Sequence, residues 1–165
     1  MRYTIQKIIT RKEIPVSIEL ELQIATHAKT LPHPAQIREW VNLTLFNRVE
    51  TAELTIRIVD DAESADLNQQ YRNKPGPTNV LSFPYDPEPG IASRLLGDIV
   101  ICAPVVEQEA ILENKSLLAH WAHMVIHGLL HLLGYTHDFD NDAAEMENLE
   151  TELLLRLNFP PLTEM

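Results

Sequence analysis

Three histidines in the segment 127–137 restrict how this part of the chain can fold. His127 and His131 are four residues apart, so on a helix both imidazoles lie on one face, one above the other. His137 follows six residues later, and at about 100° per residue a continuing helix would turn it away from that face. Gly134 stands where a left-handed residue commonly ends a helix. The spacing therefore predicts that the helix stops near Gly134 and that a turn returns His137 to the other two histidines.

The predicted cluster of imidazoles is typical of a catalytic zinc site. Three neutral histidines around one divalent ion leave coordination positions open for water or substrate. The alternative is a buried helix whose histidines are hydrogen-bonded separately, which suits a lone histidine better than three at this spacing. His123, one turn before His127, can line such a site, whereas His120 is expected at the helix surface or behind the ligands. We predict a single Zn²⁺ ion held by His127, His131 and His137.

The length and composition fit one domain over residues 1–165 in a reducing compartment. With the predicted zinc site, we expect this domain to be a metal-dependent hydrolase. Cys102 is the single cysteine, which excludes an intrachain disulfide and a thiolate metal site. The N-terminal residues lack the apolar run of a signal peptide, and histidines interrupt the longest apolar stretch. We therefore expect a cytoplasmic protein with no membrane partner.

The formal net charge of −11 argues against a general electrostatic binder of nucleic acid, and we expect no DNA partner. The charge is unevenly distributed. Asp138–Glu150 carries six acidic residues and no base, whereas Leu67–Pro84 carries Arg72 and Lys74 and no acid. This locally basic segment is compatible with a small anionic-substrate site, or with two ordinary cations on a solvated loop.

The pattern of apolar residues predicts an α+β fold in a single domain, with a small mixed sheet and about five helices packed around a buried histidine-bearing helix. Strands are expected to alternate with helices first, and three helices to follow the last strand. The predicted strands are 3–9, one centred on Leu54, Ile56 and Ile58, 78–83 and 97–102, and the predicted helices are 34–48, 61–71, 104–113, 117–133 and one reaching Leu157. The expected helix caps are Asp60 or Asp61, Ser116, and Asp140 or Asp142.

The reaction class is suggested by a comparison with metzincin peptidases, whose pattern is H-E-x-x-H-x-x-G-x-x-H. This chain has the histidines and the glycine, but Gly128 replaces the glutamate that acts as general base. Peptide hydrolysis needs that group to activate water and protonate the leaving amine. Cleavage of RNA needs it less, since the 2′-hydroxyl is a built-in nucleophile and charge stabilisation supplies much of the catalysis. The missing glutamate therefore favours phosphoryl chemistry.

The chain resembles the bacterial endoribonuclease YbeY family. The run from His127 to His137 looks like that family's H-G-x-L-H-L-x-G-Y-D-H signature. Further segments are similar and occur in the right order over about residues 50–156: Tyr71–Lys74, Thr78–Pro84, Leu96–Ile101, Ala122–His123 and Glu145–Glu150.

The resemblance implies a metal-dependent, single-strand-specific endoribonuclease that matures ribosomal RNA. Its tasks would include the 3′ end of small-subunit rRNA and ribosome quality control, with the small ribosomal subunit and its associated proteins as partners. Arg72 would match the family's functionally important arginine, whose planar fork suits a scissile phosphate. Lys74 and Ser82 are candidates for substrate binding, or else a surface cation and a strand-end hydroxyl.

Two departures and two rival functions accompany the resemblance. Thr136 stands where the family usually has aspartate beside the third ligand, and Asp138 can take over the support of His137. Asn73 and Pro75 also differ from the family's usual loop. One rival is a zinc metallopeptidase-like hydrolase, which needs a carboxylate near the metal. The other is a non-enzymatic ribosome assembly factor whose zinc is structural and has a fourth protein ligand.

Overall fold

The structure of the chain is a computed structural model that describes residues 17–162. The predicted strand over 3–9 lies outside these residues. The described helices and strands are β1 (Ser17–Ala25), α1 (Pro34–Leu45), β2 (Thr51–Val59), α2 (Asp61–Arg72), β3 (Val80–Pro84), β4 (Leu95–Cys102), α3 (Ala103–Leu112), α4 (Leu117–Leu132) and α5 (Asp140–Arg156).

The four strands form a mixed sheet in the order β1-β2-β4-β3. β1, β2 and β4 are parallel, whereas β3 runs antiparallel to β4 at the edge of the sheet. Together with the five helices of the described part, this sheet confirms the predicted α+β fold. Within residues 17–162, no helix combines the length and the apolar composition needed to cross a membrane.

Strand β1 was not predicted, although its sequence carries a clear signal. Ile18, Leu20 and Leu22 alternate with Glu19 and Glu21, which is the period of a strand with one buried face. In the structure the apolar side chains pack against the main core, and the strand pairs with β2. The alternation in the sequence is therefore sufficient to predict β1.

The predicted helix caps have mixed outcomes. The Ser116 hydroxyl accepts a hydrogen bond from the Ala119 amide (3.0 Å) and caps α4 as predicted. Asp60 occupies the predicted position before α2, but its carboxylate binds Thr26 and His27 instead of the helix amides. The cap position of α5 is Phe139, so the prediction of Asp140 or Asp142 there was wrong. Both aspartates lie in the first turn, where the helix dipole favours negative charge.

The main core lies between one face of the sheet and helices α1 and α4. Ile37 and Trp40 of α1, Ile56 of β2, and Val125 and Leu129 of α4 are all buried in it. Helix α4 is buried around most of its circumference, including the positions between the histidines. This confirms that the histidine-bearing helix is the central one.

The opposite face of the sheet carries a second, smaller cluster beneath α2. Val59, Leu81, Val100 and Cys102 are buried there, with Leu67 of α2 packed against them. Cys102 was predicted to be a core residue, which its 1% exposure confirms. Because side chains alternate along a strand, Leu81 faces α2 whereas Ser82 faces α4.

Gly128 sets the distance between α4 and the sheet. A Cβ atom added there would lie 2.9 Å from Cγ2 of Ile99 and 3.3 Å from the Ser82 hydroxyl. Ser82 also donates a hydrogen bond to the Gly128 carbonyl (3.1 Å). The helix therefore approaches β3 and β4 so closely that this position has no room for a side chain.

Candidate metal centre

The end of α4 has the geometry that the histidine spacing predicts. Gly134 has φ +103°, in the left-handed region that favours glycine. The Gly134 amide donates to the His131 carbonyl (3.0 Å), and the Tyr135 amide donates to the Leu130 carbonyl (3.0 Å). This pair of bonds is the Schellman arrangement that ends helices. The chain thereby reverses within three residues and carries His137 back toward the helix.

The three predicted ligands come together at this turn. His127, His131 and His137 each offer a ring nitrogen, and these atoms all lie within 4.8 Å of one another. The Nε2 atoms of His127 and His131 are 3.1 Å apart. The His127 and His131 side chains are half-buried, whereas His137 is exposed. The cluster therefore opens to solvent on the side of His137.

His131 is oriented by the backbone of the turn. Its Nδ1 lies 2.9 Å from the Tyr135 carbonyl oxygen, which can only accept a hydrogen bond, so Nδ1 carries the proton and Nε2 presents a lone pair. Burial, and next the neighbouring His127, lower the pKa of His131. The ring is thus kept in the neutral form that binds metal ions.

Glu150 on α5 is the residue at this site that sequence reasoning missed. Its side chain is 5% exposed, and one oxygen lies 2.5 Å from Nδ1 of His127. The other oxygen lies 3.4 Å from Nε2 of His123. Burial alone would raise the pKa of Glu150, but its contacts with the two histidines outweigh burial and lower the pKa to about 2. The segment Glu145–Glu150 resembled the family, yet only the packing of α5 on α4 selects this one glutamate.

The other two histidines of α4 lie beside different glutamates, His120 beside Glu109 and His123 beside Glu150. His120 is buried, with its Nε2 2.8 Å from Glu109. Of the two positions predicted for it, the helix surface was therefore wrong, and a place behind the ligands stays a prediction. His123 lies beside the predicted ligands through Glu150, as expected for a residue lining the site. Two groups of the described residues have the spacing to hold a metal ion, His127 with His131 and His137, and His127 with His123 and Glu150. Asp138 is exposed and belongs to neither group.

The predicted catalytic Arg72 and the predicted substrate-binding Lys74 and Ser82 belong to other parts of the fold than the three histidines. Arg72 and Lys74 are exposed at and just after the end of α2, a helix whose Leu67 packs on the sheet face opposite α4. Within residues 17–162, neither forms an ion pair. Ser82 does face α4, but its hydroxyl is hydrogen-bonded to the Gly128 carbonyl. The roles of all three residues stay predictions.

A groove beside the cluster contains a cation that the sequence did not single out. Besides Lys115 its lining includes three histidines and two carboxylates, among them Asn79, His123, His127, His137, Met146, Glu147 and Glu150. Lys115 is the one lysine or arginine among the described lining residues, and it pairs with Glu113 (2.8 Å). The backbone amide of Lys115 donates to the Ala110 carbonyl, which holds the residue in the turn between α3 and α4.

The residues present fit a bound metal ion. Two half-buried imidazoles face each other through Nε2 at 3.1 Å, one of them neutral with a lone pair there, and a third lies within reach on the open side. A cation between these nitrogens satisfies lone pairs that would otherwise repel each other. An α+β domain that presents three histidines from a helix and the following turn is therefore a candidate metal-dependent hydrolase.

Comparison with known proteins identifies the family. The model of the family "Endoribonuclease YbeY" matches residues 5–158, and the chain belongs to that family. Among solved structures, it is similar to the solution structure of TM1509 from Thermotoga maritima, with 27% sequence identity and a TM-score of 0.58. That match covers 83% of this chain and 93% of the other. Family membership supports an endoribonuclease that acts in ribosomal RNA maturation.

Proposed function

We propose that this protein is a zinc-dependent, single-strand-specific endoribonuclease that matures the 3′ end of small-subunit ribosomal RNA and acts in ribosome quality control. On this proposal it works in the cytoplasm with the small ribosomal subunit and its proteins. The observation that carries the proposal is the convergence of His127, His131 and His137 within 4.8 Å at a solvent-open turn.

The residues of the proposed zinc site are already oriented for metal binding in the folded protein. His127 and His131 would hold a zinc ion through Nε2, and His137 would complete the set from the exposed side. When bound, the ion supplies positive charge and Lewis acidity at a phosphoryl oxygen. The Tyr135 carbonyl fixes the ring of His131 (2.9 Å), so little reorganisation is needed on binding.

Lys115 is our first candidate for holding the RNA phosphate beside the centre. It lines the same groove as His127 and His137, and in a chain of net charge −11 a local cation is needed to attract a polyanion. Arg72 stays a candidate for the scissile phosphate and Lys74 for substrate binding, and both precede in the chain the segment that reaches the groove at Asn79. The Ser82 hydroxyl donates its proton to the Gly128 carbonyl, so it can contact substrate only as an acceptor, through its two lone pairs.

Two observations count against a peptidase. Position 128, where the metzincins carry their general base, has no room for a Cβ atom. Glu150 is near the histidines but contacts Nδ1 of His127, the side away from the Nε2 cluster. The exposure of His137 also favours an open site over the closed, four-ligand site of a structural zinc.

The proposal is tested by cleavage of a single-stranded RNA that carries the small-subunit 3′ end. Zinc-loaded wild-type protein is compared with His131→Ala, Lys115→Ala and Arg72→Ala, and with Lys29→Ala as a control. Lys29 is an exposed lysine in the loop after β1, at the opposite edge of the sheet from β3. The same sequence as DNA and as duplex RNA tests the substrate class.

We expect His131→Ala to abolish cleavage. Lys115→Ala should lower kcat/KM about ten- to a hundredfold, the effect of losing a charge-assisted contact worth about 1.5–3 kcal/mol, whereas Lys29→Ala should match wild type. Equal cutting by wild type and folded His131→Ala would reveal a contaminating nuclease. The assembly-factor function would then become the better explanation.

A further inference from the structure

The Nε2 atoms of His127 and His131 can face each other in two different ways. At 3.1 Å the contact is either a hydrogen bond, with a proton on one nitrogen, or a pair of lone pairs ready for a cation. The tautomer of His131 is fixed by the Tyr135 carbonyl, which can only accept a hydrogen bond and so requires the proton on Nδ1. The protonation of His127 therefore decides between the two arrangements.

The partner of His127 on its other side is the buried carboxylate of Glu150. The Nδ1–Oε2 distance is 2.5 Å, and an ionised carboxylate can only accept a hydrogen bond. A neutral His127 must then carry its proton on Nδ1 and leave Nε2 bare. A neutral histidine in water can carry its proton on either nitrogen. In this protein the contact with Glu150 of α5 restricts a neutral His127 to the Nδ1–H tautomer.

We propose that Glu150 is a positioning residue that holds His127 in the Nδ1–H tautomer and makes its Nε2 available to the metal. This inference rests on the metal site of the proposed function. Glu150 contacts Nδ1 of His127 and not the Nε2 that faces His131, and it is not a member of the group formed by His127, His131 and His137, so it would act on the metal through the histidine. Its negative charge, nearly enclosed by protein, also favours a cation on the far side of the imidazole.

His123 lies beside the second carboxylate oxygen of Glu150. Its Nε2 lies 3.4 Å from Oε1 of Glu150, and neither of its ring nitrogens has a hydrogen-bond partner within residues 17–162. His123 thus packs against the carboxylate and restricts its rotation. One glutamate from α5 is held between two histidines one helical turn apart on α4.

The chain offers a matched control in a second glutamate–histidine pair. Glu109 of α3 contacts Nε2 of buried His120 at 2.8 Å, again a carboxylate from a neighbouring helix against a histidine of α4. His120 belongs to neither group that can hold a metal ion among the described residues. Glu109→Gln therefore removes the same kind of interaction without touching the proposed ligands.

The test measures two properties that do not depend on RNA cleavage. Zn²⁺ affinity is obtained by chelator competition at pH 8, and the tautomer of His127 in the metal-free protein by ¹H–¹⁵N correlation of the imidazole nitrogens. Wild type, Glu150→Gln, Glu150→Leu and Glu109→Gln are compared, with circular dichroism as the check on folding.

We expect His127 of the wild type to be protonated on Nδ1. Glu150→Gln, which keeps the size of the side chain and removes its charge, should weaken Zn²⁺ binding about ten- to a hundredfold. Glu150→Leu should also shift His127 toward the Nε2–H tautomer. Glu109→Gln should leave both properties as in the wild type.

The inference is overturned if folded Glu150→Gln binds Zn²⁺ as tightly as the wild type, or if wild-type His127 is protonated on Nε2. Should Glu150→Leu fail to fold, the isosteric glutamine variant still decides. A protein that binds zinc through Glu150-dependent histidines yet cuts no RNA would refute the proposed function and leave this inference intact.

Discussion

Cys102 ends β4 and has its thiol closed off from solvent. Its sulfur lies 3.4 Å from the Asp61 carboxylate, and the residue is 1% exposed. Burial, above all, raises the pKa of the Cys102 thiol from 9.0 to about 11. A thiol in this environment is neutral and poorly nucleophilic at ordinary pH.

The raised pKa of Cys102 predicts a loss of stability in alkaline solution. Above pH 9 the thiol of the unfolded chain ionises while that of the folded chain stays protonated, so the free energy of unfolding falls between pH 9 and about 11. The contribution is fully present below pH 9. Cys102→Ala should lose less stability over this interval, as measured by urea unfolding at several pH values. Parallel curves for the two proteins would contradict the buried, neutral thiol.

At the residue scale, the contacts of His127 and His131 show that the proposed metal centre depends on more than the three histidines. Each ligand ring has two nitrogens, and which one is free depends on what the other contacts. The Tyr135 carbonyl fixes which nitrogen of His131 is free, and on our proposal the Glu150 carboxylate does the same for His127. Neither partner could be singled out from the spacing of the histidines.

Helix α4 can pack closely on the sheet because position 128 is a glycine and has no side chain. The nearest atom to an added Cβ is Cγ2 of Ile99 at 2.9 Å, and the stiff β-branched side chain of isoleucine cannot swing that methyl group away. The helix therefore presents its histidines from a fixed depth over β3 and β4.

This packing predicts that Gly128→Ala destabilises the protein. Overpacking costs about 1–3 kcal/mol, whereas the better helix propensity of alanine returns about 1 kcal/mol, so we expect a net loss. Urea unfolding measures it. The cost should be smaller in an Ile99→Ala background, since that change removes the methyl groups in the way. An additive double-mutant cycle would show that Ile99 is not the obstacle.

At the scale of the whole molecule, the proposed metal centre connects three parts of the chain. His127 and His131 belong to α4, His137 to the turn, and Glu150 to α5, which packs on α4. An ion bound by the folded protein alone stabilises it by mass action, by about 2.7 kcal/mol at a hundred times its dissociation constant.

Removing the metal should therefore lower the melting temperature. We expect Tm to rise when Zn²⁺ is added, to fall again with a chelator, and to respond much less in His137→Ala. Differential scanning calorimetry at pH 8 provides the measurement. A Tm that is the same with zinc and with chelator, in a protein shown to bind the ion, would mean that the centre contributes nothing to folding.

Much of the fold followed from local patterns in the sequence. The alternation of Leu54, Ile56 and Ile58 predicted β2, and the apolar run after Ser116 predicted the central helix, because hydrophobic periodicity and helix caps act over a few neighbouring residues. The same reasoning applied to Ile18, Leu20 and Leu22 would have found β1. Helix caps were less predictable. The Asp60 carboxylate is hydrogen-bonded to Thr26 and His27, more than thirty residues away in the chain, and so does not cap α2.

The sequence by itself determined the histidine cluster, because His127, His131 and the left-handed Gly134 belong to one helix and its turn, whose geometry is local. It also determined the class of fold, through the periods of its strands and helices. Only the tertiary structure decided what lies around the cluster. It buried Glu150 against His127, brought Lys115 to the groove and left no room for a side chain at Gly128. It also packed α2, which ends at Arg72, on the opposite face of the sheet. Those relations join residues distant in the chain, and they depend on how α5, α3 and the sheet pack on α4, which no local pattern encodes.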